Sequence, residues 1–326
     1  MSLGTHWVQR YGSLAVVASI LGVGLVGCDT TEGGESAATP DGSAGDKLVV
    51  VATSTILADW AAEVGGEQIE LTSILQPGAD PHLYEPVPAD SVAFEQADLI
   101  LYNGYNLEPN LIRLLNATGV KAQRVAVGEV VPPLDLAKSG STVPDPHVWG
   151  DASNGVPMVE AIRDEFIALA PEHKAIFSQN AATYIQELNQ LHGWIAAQTA
   201  TIPPSQRQLV TTHDAFQYYA NAYGLTVAGT LIGLSTEEQP SARTVQQLVE
   251  SIQALGVPAI FAETTINPDL TTTVATEAGV ALADAKLYSD SLGAPGSDGD
   301  TYITMMVANT RAITANLGGA VEDFPE

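Results

Sequence analysis

The feature that most constrains the fold is an alternation of short apolar runs with amphipathic stretches, repeated in two series along the 326 residues. In the first series the predicted strands are 47–53, 69–75 and 99–102, and the predicted helices are 56–64, 89–96 and 109–117. The second series contains 209–212, 215–223, 226–227, 242–255, 259–262, 268–278 and a last helix near 301–316. Strands and helices in this order predict parallel sheets with helices packed against them.

The stretch between the two series predicts a single long helix over about 172–199. Apolar residues recur there at spacings of three and four without an internal proline, and Pro203-Pro204 closes the stretch. We therefore predict an α/β fold of two lobes, each with a mostly parallel sheet flanked by helices, joined by one long linker helix. The predicted boundaries are 47–170 for the first lobe, 171–200 for the linker helix and 201–326 for the second lobe.

The N-terminal residues are typical of an export signal rather than of a folded element. Arg10 precedes an uncharged run that ends in Leu25-Val26-Gly27-Cys28, which resembles a bacterial lipoprotein processing site. We expect residues 1–27 to be the signal peptide and Cys28 to carry the lipid, so that the mature chain is anchored at the outer face of the cytoplasmic membrane. Residues 28–46 contain no large apolar residue and predict a flexible tether.

Composition excludes several classes of protein. The chain has 12 Lys and Arg against 38 Asp and Glu, a formal net charge of −26, which disfavours nucleic-acid binding. An apolar share of 45% with 15% charged residues is too apolar for a disordered chain. A single cysteine excludes a disulfide framework and a Cys-rich metal site within one chain.

A five-residue pattern occurs twice and indicates the chemistry of the protein. Asp80-Pro81-His82-Leu83-Tyr84 and Asp145-Pro146-His147-Val148-Trp149 share the order Asp-Pro-His-aliphatic-aromatic. Each proline fixes its own backbone φ and restricts the preceding Asp, so each His is expected to project from a rigid loop. A lone loop histidine is most simply a hydrogen-bonded residue, but two matching loops favour metal ligation.

Two further positions extend this hypothesis into the second series. His213 follows the predicted strand at 209–212, at the carboxyl end where open α/β sheets place their ligands. Asp290 begins a loop rich in Gly, Ser and Asp, where a turn residue or helix cap is the simplest interpretation.

Taken together, these motifs resemble those of the metal-specific solute-binding proteins of ABC importers, the zinc/manganese group that includes lipoprotein receptors once named adhesins. The resemblance runs from about residue 47 to 316. It implies two α/β lobes bridged by a long helix, a metal held in the cleft, and a membrane permease with its ATPase as partners of a monomeric chain. The ligands that it implies by position are His82, His147, His213 and Asp290.

Several residues are expected to support these ligands. Metal-bound imidazoles usually donate their second ring nitrogen to a carboxylate or a carbonyl. The carboxylates close in sequence to the three histidines, or to the sheet edge, are Asp80, Asp145, Asp214 and Glu263. Trp149 is expected to shield the metal from water.

The identity of the metal and the function each leave an alternative open. Manganese receptors of the resembled family often have a glutamate where His213 stands, which favours Zn²⁺ here, with Mn²⁺ as the alternative. Against zinc, the segment between His82 and His147 lacks the histidine-rich loop of many zinc receptors. Other functions to weigh are a zinc hydrolase with Glu263 as general base and a surface adhesin. Four protein ligands and the lack of a hydrolase motif favour a receptor that is not an enzyme.

Overall fold

A computed structural model describes residues 47–325 except 118 and 139–140. The predicted signal peptide, Cys28 and the tether lie outside the described residues. Within the described part, none of the helices combines the length and apolar character needed to cross a bilayer. All of the described residues belong to one compact unit, and both predicted lobes lie within it.

The first lobe is built on a four-stranded parallel sheet in the order β2-β1-β3-β4. Its strands are β1 (Leu48–Ala52), β2 (Ile69–Ser73), β3 (Leu99–Tyr102) and β4 (Gln123–Ala126). Its helices are α1 (Thr55–Gly65), α2 (Pro88–Gln96), α3 (Pro109–Ala117) and α4 (Gly155–Leu169). The central strands are covered on both faces, which explains why they read as continuous apolar runs.

The second lobe repeats this arrangement with shorter strands. Its elements are β7 (Gln208–Thr211), α6 (Gln217–Tyr223), β8 (Thr226–Thr230), α7 (Ala242–Leu255), β9 (Ala259–Ile260), α8 (Asp269–Ala278), β10 (Ala281–Leu282) and α9 (Tyr302–Asn316). Strands β7 and β8 pair in parallel, as do β9 and β10, and a 3.0 Å hydrogen bond from Phe261 N–H to the carbonyl of Val210 joins the two pairs. The resulting order, β8-β7-β9-β10, corresponds to that of the first lobe.

The linker helix α5 (Lys174–Ala200) is 27 residues long and confirms the predicted long helix. The positions that gave the periodic signal are all buried: Phe177, Ala181, Tyr184, Leu188, Leu191 and Ile195. They belong to one apolar cluster that also contains residues of α1, α4 and α9. The predicted fold class, two α/β lobes joined by a long helix, is therefore confirmed.

Strand β4, a helix and a hairpin of the first lobe were not predicted. Helix α4 begins at Gly155 with a proline in its first turn, yet its buried residues Met158, Val159, Ile162 and Phe166 do follow a helical period. The antiparallel hairpin of β5 (Asp135–Lys138) and β6 (Ser141–Pro144) has no apolar alternation in its sequence. This hairpin leads directly into the second Asp-Pro-His loop, so it sets the path of the chain into that loop.

Candidate metal centre

The structure brings together four side chains that lie far apart in sequence: His82, His147, His213 and Asp290. One ligand atom from each lies within 4.8 Å of all the others. All four residues are buried, with at most 2% of their surface exposed. His213 follows β7 at the carboxyl edge of its sheet, where the parallel topology was expected to place it.

The distances between the donor atoms match the size of a metal shell. His82 Nε2 lies 3.3 Å from His147 Nε2, Asp290 Oδ2 lies 3.2 Å from His213 Nε2, and Asp290 Oδ1 lies 3.5 Å from His147 Nε2. Donors arranged tetrahedrally at about 2.0–2.1 Å from an ion stand about 3.3–3.4 Å apart. A fourth distance, from His82 Nε2 to Asp290 Oδ2, is longer at 3.9 Å, so the four groups surround a space slightly wider than this tetrahedron, which has room for one first-row cation.

Three of these donor atoms make no well-oriented hydrogen bond among the described residues, although Asp290 Oδ2 and His213 Nε2 form an ion-pair contact at 3.2 Å. They are both carboxylate oxygens of Asp290 and Nε2 of His213, and all are buried. A buried polar atom without a partner is costly, so such atoms require an explanation. A cation between them supplies it.

Carboxylates behind two of the rings fix which nitrogen faces the centre. Asp145 Oδ1 lies 2.7 Å from His147 Nδ1, and Glu263 Oε2 lies 2.5 Å from His213 Nδ1. A neutral ring that donates from Nδ1 presents the Nε2 lone pair, as ligation requires. Glu263 also accepts the backbone N–H of His213 at 2.8 Å, so both of its oxygens hold one ligand.

The other two carboxylates named from the sequence do not contact an imidazole nitrogen among the described residues. Asp80 accepts the backbone N–H of His82 at 2.9 Å and the hydroxyl of Thr236 at 2.6 Å. Asp214 accepts from the amide of Gln217 at 2.7 Å. Burial lowers the pKa of His82, and the nearest support for its ring is the backbone of Leu107, which acts to raise this pKa by less. No sequence signal points to a backbone partner of this kind.

Trp149 closes one side of the site. Its ring lies edge-on to the ring of His147, with centroids 5.5 Å apart, and its Nε1–H donates to the carbonyl of Ser289 at 2.9 Å. Since Ser289 directly precedes Asp290, this bond joins a loop of the first series to a ligand loop of the second. The position is consistent with the expected shielding of the metal.

A cavity of about 520 Å³ adjoins the site at His82. It is lined by His82, Tyr102, Tyr105, Glu129, Pro146 and Leu234, among others. His82 is the one member of the four-residue cluster that lines it. Of the four, His82 therefore stands at the outer edge of the site.

The electrostatics of the cluster favour a cation. Burial lowers the pKa of His82 to about 3, although the charge of Asp290 acts in the opposite direction. Burial would raise the pKa of Asp290, but the neighbouring His213 outweighs it and holds this pKa well below its usual range. Burial acts to lower the pKa of His213, but the charges of Asp290 and Glu263 raise it well above its ordinary value. At neutral pH, the metal-free cluster thus holds an ionised carboxylate, a neutral His82 ring and a protonated His213 ring, and binding of a cation must displace the His213 proton.

A network that the sequence did not indicate lies behind two of the ligand loops. The buried carboxylate of Glu108 accepts the backbone N–H of Asn103 at 2.6 Å and the hydroxyl of Thr53 at 2.8 Å. The amide of Asn103 in turn donates to the carbonyl of Pro146 at 2.9 Å. Glu108 also directly follows Leu107, the backbone partner of His82. The one signal in the sequence is a carboxylate immediately before the first proline of α3.

A two-lobe α/β fold with three histidines and an aspartate closed between the lobes defines the class of metal-binding solute receptors. Comparison with known proteins specifies the family. Residues 50–316 match the family described as zinc-uptake complex component A, periplasmic, and the chain belongs to that family.

The chain is similar to proteins of several bacteria. The chain is 35% identical over 302 residues to the manganese-binding lipoprotein MntA of Halalkalibacterium halodurans, covering 92% of this chain and 97% of that protein. It is 32% identical over 317 residues to the manganese ABC transporter substrate-binding lipoprotein PsaA of Streptococcus pneumoniae, covering 95% and 99%. Among solved structures, the periplasmic zinc-binding protein TroA of Treponema pallidum superposes with a TM-score of 0.79 at 32% identity, covering 83% of this chain and 99% of that one.

Proposed function

We propose that this protein captures a divalent first-row metal ion outside the cytoplasmic membrane and delivers it to the permease and ATPase of an ABC importer. The observation that carries the proposal is the set of buried donors without well-oriented hydrogen bonds that converge at the centre of the four-residue cluster. His82, His147, His213 and Asp290 are the proposed ligands. The names of relatives that match nearly the whole chain support the transport role.

For the metal itself, affinity and cargo are separate questions. Three imidazoles and one carboxylate form a shell that binds Zn²⁺ more tightly than Mn²⁺, following the general order of divalent-metal affinities. The related lipoproteins are named for manganese, which supports Mn²⁺ as the ion that is transported. We therefore expect the site to bind both ions, Zn²⁺ more tightly, with Mn²⁺ as the cargo where it is available.

The experiment that tests this proposal combines metal content with affinity. The metal-free protein is titrated with Zn²⁺ and with Mn²⁺, and its metal content after gentle purification is measured. One equivalent of either ion per chain is expected, and His213→Ala should abolish stoichiometric binding. His173→Ala is the matched control, because His173 lies at the start of the linker helix beside Phe177. A wild-type chain that binds neither ion would contradict the proposal.

Identification of the cargo needs cells rather than purified protein. Deletion of the gene should lower the uptake of radioactive Mn²⁺, and the wild-type gene but not the His213→Ala variant should restore it. Loss of Zn²⁺ uptake with normal Mn²⁺ uptake would identify zinc as the cargo.

The geometry of Glu263 argues against the hydrolase alternative. A general base must reach a water molecule near the substrate, yet both Glu263 oxygens contact His213 and the residue is fully buried. Glu263 therefore acts here as the support of a ligand. Hydrolysis of generic ester or peptide substrates by the metal-loaded protein would overturn this assignment.

The membrane anchor and the monomeric state are part of the same proposal. The related proteins are named lipoproteins, which supports acylation of Cys28 and the tether that follows it. The lobe boundaries at 47–170 and 201–326 likewise remain proposals, supported by the two sheets of matching strand order. Cys28→Ser should move the protein from the membrane fraction to the soluble fraction, and sedimentation analysis of the soluble part should give a single-chain mass.

A further inference from the structure

The segment 231–241, which connects β8 to α7, reaches from the second lobe to the loop that carries His82. Its base is held beside His213: Leu231 N–H and Ile232 N–H donate to the carbonyl of Thr212 at 3.1 and 2.9 Å. Further along, the Thr236 hydroxyl donates to Asp80 Oδ2 at 2.6 Å. The segment therefore connects the neighbourhood of one ligand to that of another.

The Asp80 carboxylate is shared between the two lobes. Its Oδ1 accepts the backbone N–H of His82 at 2.9 Å, which shapes the loop, while Oδ2 accepts from Thr236. Thr236 is 6% exposed, so this bond to a carboxylate is shielded from competition by water. Any movement of Thr236 away from Asp80 would remove a support from the His82 backbone.

The same loop is held at a second point, next to Asp290. Gly78 N–H lies 2.8 Å from the Ser291 hydroxyl oxygen and 3.2 Å from the Leu292 carbonyl. Gly78 has a φ of +80°, which a residue with a side chain adopts only at a cost. The His82 loop is thus fixed across the cleft at two places. One of them, Thr236, directly follows Leu234 and Ser235, which line the cavity beside His82.

We infer that the Thr236–Asp80 hydrogen bond is a latch that slows release of the bound metal. The inference rests on the proposed function. His82 is the outermost ligand, so it must move before an ion can leave toward the cavity. The latch resists this movement because it holds the backbone of the His82 loop against the second lobe. Thr236 is a positioning residue and contacts no metal itself.

The test measures how fast the ion leaves. Thr236→Val replaces the hydroxyl with a methyl group of similar size. Zn²⁺ and Mn²⁺ dissociation into excess chelator, followed by stopped flow, should become roughly tenfold faster, as expected for loss of a hydrogen bond to a charged group. Thr236→Ser restores the hydroxyl and should return the rate to within about twofold of the wild type. Thr226→Val is the matched control, because Thr226 is an exposed residue of β8 in the same lobe, and its rate should not change.

A spectroscopic measurement separates a latch from damage to the site. The absorption spectrum of the Co²⁺-loaded protein reports the ligand set, and in Thr236→Val it should equal that of the wild type. An unchanged dissociation rate, or a changed Co²⁺ spectrum, would overturn the latch. Failure of the wild type to bind any of the three ions would overturn the proposed function instead.

Discussion

The two Asp-Pro-His loops have the same sequence pattern and the same local turn. Asp80 Oδ1 accepts the backbone N–H of His82 at 2.9 Å, and Asp145 Oδ1 accepts that of His147 at 3.0 Å. This is an Asx turn, in which an aspartate caps the backbone two residues on while the intervening proline fixes φ. The repeated pattern therefore encodes a backbone shape that presents one histidine.

Beyond this turn, the two loops differ in every contact that matters for the site. Asp145 is fully buried and also holds the ring of its own histidine, whereas Asp80 uses its second oxygen for Thr236. The residue after His147 is buried, whereas Leu83 after His82 is 48% exposed. The His147 loop is thus an inner wall of the site and the His82 loop an outer one, and the comparison predicts different losses when the residues that support each histidine are changed.

Removal of a ligand should have the largest effect, and it should be similar in both loops. His82→Ala and His147→Ala each delete one donor from the shell. Each should weaken Zn²⁺ binding by more than the roughly 100-fold upper range for residues that only orient a ligand. Isothermal titration in competition with a chelator measures this loss. Near-wild-type affinity in either variant would remove that histidine from the ligand set.

A substitution behind both loops should change the stability of the fold at high pH. Burial raises the pKa of Glu108 from 4.5 to about 7, so the folded state favours its protonated form. This group therefore contributes stability below pH 4.5, and the contribution is lost as pH rises through 7. Glu108→Gln keeps an acceptor for Asn103 and Thr53 without the charge. Between pH 5 and pH 8, the free energy of unfolding of the metal-free wild type should fall by about 2–3 kcal/mol more than that of Glu108→Gln.

Urea unfolding of both proteins at pH 5 and pH 8 gives this difference directly. An equal difference in stability between the two proteins at both pH values would show that Glu108 does not titrate with a raised pKa in the folded state. Because Glu108 lies behind both loops, the variant should leave the ratio of their mutational effects unchanged.

Truncation of the two aspartates should separate inner and outer loops. Asp145→Ala removes both the turn and the ring partner of His147, and a loss of about 10–100-fold in affinity is expected. Asp80→Ala removes the turn and the contact with Thr236 but leaves the Leu107 support of His82, so a loss of about tenfold is expected, mainly through faster dissociation. Equal losses with equal dissociation rates would end the distinction between an inner and an outer loop.

The smallest effect is expected at the aromatic residue of the inner loop. Trp149→Phe keeps an aromatic ring beside His147 but removes the hydrogen bond to the carbonyl of Ser289. A net hydrogen bond contributes about 0.5–1.5 kcal/mol, so the affinity should fall by about two- to tenfold. Tyr84→Phe in the outer loop is the matched control, because the Tyr84 hydroxyl donates to Asp90 and not to a ligand loop. A larger loss in Tyr84→Phe than in Trp149→Phe would contradict the prediction.

Much of the fold could be predicted because its signals are local. Strands β1, β2 and β3, the long helix and most helices of the second lobe follow from apolar periodicity, whereas the short strands β4 and β10 were missed. Helix α4 was missed although its period is present. The hairpin of β5 and β6 was missed because its pairing depends on the partner strand rather than on its own pattern.

The sequence by itself determined the fold class, the two turns that present His82 and His147, and the identity of the four residues proposed as ligands. The fold class depends on periodicity and the two turns on proline and Asx geometry, whereas the set of four residues, Asp290 above all, depends on the resemblance to a known family. Only the tertiary structure decided which residues support the ligands. The carboxylate of Asp80 bonds with Thr236, 156 residues away, and the backbone of Leu107 lies against the ring of His82. The physical reason is that such contacts arise where separate loops meet in space, and neither the spacing nor the chemistry of the chain records which loops will meet.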